Sequence, residues 1–291
     1  MNEEPSGPRP GSVARVRVQA VAAGEVAERT DQLAVEEPLE VRLLVERGGR
    51  RRRHSIAVTM RTPGHDFELA AGFLYGEGVL SDPAAVAGIA YCRSGTAEDA
   101  RNVVEVTLAP GAAFDPERFS RHVYTTSSCG VCGRASLEAV RASLPPPAAR
   151  AAAGPLVERQ ALLGLPGRLG DAQVVFAVTG GLHAAALFDP AGALDLVRED
   201  VGRHNAVDKV VGALLLDGRL PASDRLLMVS GRASFELVQK AVMAGLPLLA
   251  AVGAPSSLAV ELARQHGLTL IGFLRDGRFN VYAGEGRLAA T

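Results

Sequence analysis

Apolar and polar positions alternate in the manner of strands at Arg15-Val16-Arg17-Val18, Leu39-Glu40-Val41-Arg42-Leu43-Leu44-Val45, Ser55-Ile56-Ala57-Val58-Thr59-Met60 and Val103 to Leu108. The second and third runs flank Gly48-Gly49, which predicts a hairpin whose tip carries Arg50 to Arg53. At Phe67 the period lengthens. Phe67, Ala70, Ala71 and Leu74 share one side of a helix that Asp66 is placed to cap, with His65 and Glu68 near its start. A further helix is expected over Leu137 to Leu144, stopped by Pro145-Pro146-Pro147 before an alanine-rich stretch through Ala153.

In the second half, Gln173 to Thr179, Arg225 to Ser230, Leu246 to Val252 and Leu268 to Leu274 read as short apolar strands. Helical segments follow Arg203, Ser234 and Ser257, and strands alternating with helices predict an α/β layered domain. Leu268 to Tyr282 reads as a hairpin closed by an Asp276-Gly277 type I′ turn. The expected organisation is a disordered tail over 1–12, a smaller strand-rich α+β domain over 13–125, and an α/β domain over 126–291.

Composition narrows the function classes. The chain has 291 residues, is 47% apolar, and carries a formal charge of −1, so no global field draws it to nucleic acid. Any anion it binds must be held by a local cluster. Ala241 to Val260 is almost free of charge, but Gly245, Pro247, Gly253 and Pro255 interrupt it, which predicts a buried strand leading into a helix and no membrane span. With three cysteines and no basic-then-apolar opening, the expected location is a reducing cytoplasm.

Two of those cysteines stand in Ser127-Ser128-Cys129-Gly130-Val131-Cys132-Gly133. A C-x-x-C pair fits half of a tetrahedral metal site, a dithiol redox centre, or a thiol that carries sulfur as a persulfide. Only Cys92 and six scattered histidines remain to complete a zinc site, so no metal is expected. The glycines and serines around the pair read as a loop, which suits a sulfur loaded by one partner and delivered to another.

Three strands run into small polar turns: Thr179-Gly180-Gly181-Leu182-His183, Ser230-Gly231-Arg232-Ala233-Ser234 and Gly253-Ala254-Pro255-Ser256-Ser257. In an open α/β sheet such turns collect at the edge where ligands bind. Glycine admits close backbone approach and Arg232 offers a fixed fork for phosphate, so a nucleotide-like ligand fits, although neither a P-loop nor a dinucleotide fingerprint is present. In Glu199 to Val211, Val207, Val210 and Val211 share one helical arc with Leu214, and His204, Asn205, Asp208 and Lys209 share the other. With Asp200 as a cap and Arg203 in the first turn, that polar face is expected to serve a ligand or catalysis. Arg275 and Arg278 flank the Asp276-Gly277 turn in a position to clamp a phosphate. The arginines at the Gly48-Gly49 hairpin read as solvated.

Taken in order, the Ser-Ser-Cys-Gly-Val-Cys-Gly loop, Thr179 to Ala185, Glu199 to Lys209, Ser230 to Lys240, Pro255 to Ala263 and Arg278-Phe279-Asn280 closely resemble the FdhD family of formate dehydrogenase accessory sulfurtransferases. The resemblance runs from about Arg61 to Tyr282. It implies a homodimer whose C-terminal domain has cytidine-deaminase-like α/β/α layering. It further implies a sulfur carrier that takes sulfur from a cysteine desulfurase as a persulfide on Cys129, assisted by Cys132. The sulfur then passes to the molybdenum of Mo-bis-molybdopterin guanine dinucleotide before that cofactor enters formate dehydrogenase. The segment Phe273, Leu274, Arg275, Asp276, Gly277 and Arg278 matches the family's contact to the cofactor's guanine dinucleotide, for which a guanine nucleotide would be a mimic. His183, Arg203, His204, Lys209, Ser230, Arg232 and Ser256 complete the expected cofactor contacts; His183, His204 and Lys209 are also candidates to lower a thiol's pKa. Two rivals stand beside this reading. A chaperone that only holds the cofactor would tolerate Cys129→Ala. A zinc nucleobase deaminase would need H-x-E before P-C-x-x-C, but His183-Ala184-Ala185 lacks the glutamate and follows the cysteines.

Overall fold

The structure is a computed structural model and describes residues 11–47, 50–80, 83–92, 101–112, 114, 144 and 157–289. Cys129, Cys132, the helix expected over Leu137 to Leu144 (apart from Leu144) and the proline stretch after it lie outside the described residues.

Three of the predicted runs become β3 (Glu37–Arg47), β4 (Arg50–Arg61) and β6 (Val103–Leu108), which with β5 (Val86–Tyr91), a strand the pattern did not predict, build a four-stranded sheet in the order β4-β3-β6-β5. β3 and β4 form the expected hairpin, with Arg47 opposite Arg50. Arg50 to Arg53 are the exposed first residues of β4, and Arg53 pairs with Glu105 at 3.0 Å. Leu39, Val41, Leu43, Val104 and Val106 point to one face, where helix α1 (Asp66–Gly76) covers them with Leu69, Ala70, Ala71 and Leu74.

Ahead of this sheet, β1 (Val13–Ala22) and β2 (Glu25–Ala34) make a separate two-stranded ribbon. β1 contains the predicted run at Arg15 to Val18. β2 carries too little alternation to be read as a strand. Ser12 already belongs to the fold: it is buried and its carbonyl accepts from Val35 N at 2.9 Å.

The C-terminal half is a six-stranded mixed sheet in the order β12-β11-β10-β9-β7-β8. It comprises β7 (His183–Phe188), β8 (Leu194–Asp200), β9 (Leu226–Val229), β10 (Leu248–Ala251), β11 (Thr269–Arg275) and β12 (Arg278–Ala283). β9, β10 and β11 are parallel. Leu162, Leu165 and Leu169 of α2 (Arg159–Ala172) cover one face. On the other face lie α4 (Arg203–Leu216), α5 (Phe235–Met243) and α6 (Ser257–Gln265), through Val207, Val210, Leu237, Val238 and Leu262. The α/β/α layering is as expected. The uncharged stretch from Ala241 forms β10 and leads into α6, and among the described residues no helix is long and apolar enough to cross a membrane.

Three local expectations are corrected. Gln173 to Thr179 is not a strand: Val174–Thr179 is a short helix, α3. The Glu199 carboxylate accepts from Val175 N at 2.9 Å and Phe176 N at 2.8 Å, anchoring a helical first turn that overrides the β-branched sequence. Asp66 does not cap α1. His65 precedes the helix in the left-handed region, φ 59°, with no side-chain cap, and the Asp66 carboxylate is taken by Arg61 in a two-pronged pair at 3.1 Å and by Tyr91 at 3.0 Å. Asp200 likewise does not cap α4, because it ends β8 and binds the N–H of Gly202, the residue before the helix, at 2.8 Å.

The two halves are joined by α1 crossing α4 with almost no side chain between them. A methyl added at Gly72 would strike the Asp208 carbonyl, and one at Gly212 the Glu68 carbonyl. Around this crossing Arg198 donates to both oxygens of Glu68, at 2.6 and 2.9 Å, and Tyr75 donates to the Met243 carbonyl at 3.0 Å.

Candidate functional site

Because β8 runs antiparallel to β7 and β9 to β11 run parallel, five loops come out at one edge of the C-terminal sheet. They start or end at His183, Asp200, Ser230, Gly253 and Arg275. The loops are laced to one another by backbone bonds: Gly253 N to Gly231 O at 2.9 Å, Ser256 N to Ala233 O at 3.0 Å, and Phe273 N to Gly253 O at 3.1 Å. This is the edge at which the sequence placed a ligand.

His183 and Arg203 both border Gly231. A Cβ there would meet His183 Nδ1 at 3.4 Å and Arg203 Cδ at 3.9 Å, so the missing side chain keeps the space between them open. Arg203 has a buried Nε with no hydrogen-bond partner and makes no ion pair with a described residue. His204 lies 2.9 Å from the Glu236 carboxylate and 3.1 Å from Ser234 Oγ, both through Nε2. The His183 pKa is depressed by burial and then by the charges of Arg203 and His204, with Asp200 opposing weakly.

Arg232 is exposed and lies against Gly253, while Phe273 sits at φ 54° beside an irregularity in the β11–β12 register. The guanidinium of Arg275 stands 6.0 Å from the Phe273 ring centroid. Asp276 at φ 53° and Gly277 at φ 69° form the predicted type I′ turn, with Arg278 opposite Arg275. The edge therefore presents Arg203, Arg232, Arg275 and Arg278 around a glycine-lined backbone, an arrangement suited to a phosphorylated ligand with a planar group.

Other residues of the expected site have structural partners. Lys209 is buried, donating to Asp200 at 2.6 Å, the Thr62 carbonyl at 3.0 Å and the Glu199 carbonyl at 3.2 Å. Asp208 pairs with Lys240 at 2.6 Å, and Asn205 bonds to the Met60 carbonyl and Asp200. Beyond His204 the polar arc of α4 thus faces the first half of the chain through Asn205 and Lys209, and α5 through Asp208. Ser230 Oγ accepts from Ala184 N at 2.9 Å, Ser256 Oγ caps α6 by accepting from Ala259 N at 3.2 Å, and Leu274 lies in the core. The sequence reading missed Glu236 and Ser234 as partners of His204. Their place two residues apart at the start of α5 was the available signal.

Comparison with known proteins follows the same line. The model of the FdhD/NarQ family matches residues 34–289. The chain is 54% identical to the sulfur carrier protein FdhD of Streptomyces avermitilis, over 94% of this chain and 95% of that one. It is 49% identical to the protein of the same name from Mycobacterium tuberculosis, over 95% and 99%. A crystal structure from Desulfotalea psychrophila, described as a formate dehydrogenase accessory protein, shares the fold with a TM-score of 0.70 at 24% identity, over 95% of this chain and 99% of that one. With 54% of its positions shared with a relative of nearly its own length, and a family match that spans the four- and six-stranded sheets, this chain belongs to the FdhD/NarQ family.

Proposed function

We propose that this protein is a sulfur carrier for formate dehydrogenase maturation. It would take sulfur from a cysteine desulfurase and deliver it to the molybdenum of Mo-bis-molybdopterin guanine dinucleotide before the cofactor is inserted. The observation that carries the reading is the Cys129-Gly130-Val131-Cys132 pair in a chain 54% identical to a protein named as a sulfur carrier.

The chemistry balances with the two cysteines. Cys129 thiolate attacks the outer sulfur of the desulfurase persulfide; a new S–S bond forms on Cys129 as the donor S–S bond breaks, and the desulfurase cysteine leaves as a thiolate. Delivery as sulfide needs two electrons. Cys132 thiolate supplies them by attacking Cys129 Sγ, which closes a Cys129–Cys132 disulfide and expels hydrosulfide to the molybdenum. A cellular dithiol then reduces the disulfide and resets the carrier. The cofactor is the acceptor substrate, with the turn Phe273 to Arg278 contacting its guanine nucleotide and the His183–Arg203–Arg232 edge its phosphates. The protein acts in the cytoplasm as a homodimer.

The test is rescue of formate dehydrogenase activity in cells that lack their own copy of this protein. Native protein restores activity and Cys129→Ala does not. Rescue by Cys129→Ala at native protein levels would replace the carrier with a chaperone that only holds the cofactor.

A further inference from the structure

Arg203, beside Gly231, makes no ion pair with a described residue, although its charge acts on the Glu236 carboxylate. Asp200, the nearest carboxylate in the sheet, sits opposite His183 in the β7–β8 register, but its oxygens are already used by Lys209, Gly202 N, Asn205 Nδ2 and Thr62 N at 2.6, 2.8, 2.9 and 3.2 Å. Glu236 is engaged by His204. Arg203 retains a buried Nε without a partner. The first turn of α4, where Arg203 stands, has no side-chain cap, so its N–H groups add positive potential at the same place. Gly231 leaves the space between His183 and Arg203 open.

We propose that His183, Arg203 and the Gly231 turn form a phosphoryl-binding site in which Arg203 is the fixed counter-ion and His183 takes up a proton when the oxyanion enters. This rests on the reading of the sheet edge as the cofactor site and deepens it. It assigns the diphosphate to this corner, apart from the turn Phe273 to Arg278, and makes binding proton-coupled. The coupling follows from the groups facing His183. Burial, then Arg203 and His204 of α4, push the His183 pKa down; Asp200 of β8, which opposes them, is paired with Lys209, and the turn after β9 carries one charge, Arg232, which is exposed and lies against Gly253. A divalent anion between His183 and Arg203 reverses that balance and favours the imidazolium.

The probe is inorganic pyrophosphate, titrated calorimetrically into the full-length protein near neutral pH in two buffers of different ionisation enthalpy. The native chain is expected to bind, with a heat that changes with buffer in the sense of proton uptake. Arg203→Gln is expected to lose affinity roughly tenfold or more, with Arg203→Lys recovering part of it, because a guanidinium–phosphate pair is charge-assisted and geometry-specific. His183→Gln is expected to bind with a smaller proton uptake than the native chain, because what remains comes from the ionisation of pyrophosphate itself. Native affinity in Arg203→Gln, an absence of binding by the native chain at millimolar pyrophosphate, or unchanged proton uptake in His183→Gln would each overturn the site. Sulfur loading is read separately, as a mass gain on Cys129. Failed pyrophosphate binding with intact loading therefore removes this site alone, and failed loading with intact pyrophosphate binding removes the carrier reading alone.

Discussion

Asp200 and Glu68 are the residues on which the halves of the molecule meet, and both are expensive to change. Asp200→Ala would leave the Lys209 ammonium, 1% exposed, without its counter-charge. Such a loss costs about 3–5 kcal/mol, read as a lower urea midpoint. For Glu68, burial alone would raise the pKa, but hydrogen bonds from Arg198 and His65 hold it down at about 2 against an ordinary 4.5. A depressed carboxylate contributes stability that is complete above pH 4.5 and disappears as pH falls through about 2. The deficit of Glu68→Gln, on the order of 2 kcal/mol at neutral pH after allowing for its partial exposure, should therefore shrink across that window in urea titrations. Residue chemistry was only half legible beforehand. The spacing of His204, Asn205, Asp208 and Lys209 showed one polar arc, but it divides: His204 and Asp208 meet α5, whereas Asn205 and Lys209 meet the Thr59 to Thr62 segment, more than a hundred residues away in sequence. Local period cannot reveal a partner that the chain brings in from that distance.

Between elements, the decisive contact is the crossing of α1 and α4 at Gly72 and Gly212. Gly72→Ala forces backbone against backbone with no flexible side chain to yield, so the helices must separate. The expected loss is about 3 kcal/mol or more, with most of the protein recovered insoluble or unfolded by circular dichroism, whereas Gly78→Ala, next to open space but at φ 70°, should cost about 1 kcal/mol. Strands β3, β4, β6 and β9 to β12 and helices α1, α4, α5 and α6 were readable because each keeps a face against one core. β5, β7, β8 and α2 were not read as elements, and two more show why local pattern fails. Val174–Thr179 has a strand's composition but takes its shape from the Glu199 carboxylate that receives its first N–H groups. β2 is held by pairing with β1 and has little apolar patterning of its own.

At the scale of the whole molecule, the loops from His183, Asp200, Ser230, Gly253 and Arg275 meet at one sheet edge, which the alternation of strands with helices and the position of the glycine turns had already indicated. What the sequence could not supply was the division of labour along that edge: Arg203 makes no ion pair with a described residue, whereas Lys209 and Ser256 serve the fold. The account's central claim is that Cys129 carries the sulfur. Its most direct test is the intact mass of the protein after incubation with a cysteine desulfurase and cysteine, for the native chain, Cys129→Ala and Cys132→Ala. The account predicts a gain of about 32 Da, one sulfur atom, that dithiothreitol removes, that is absent from Cys129→Ala and that persists in Cys132→Ala, which has no thiol to discharge it. No gain in Cys132→Ala, or an equal gain in Cys129→Ala, would contradict it.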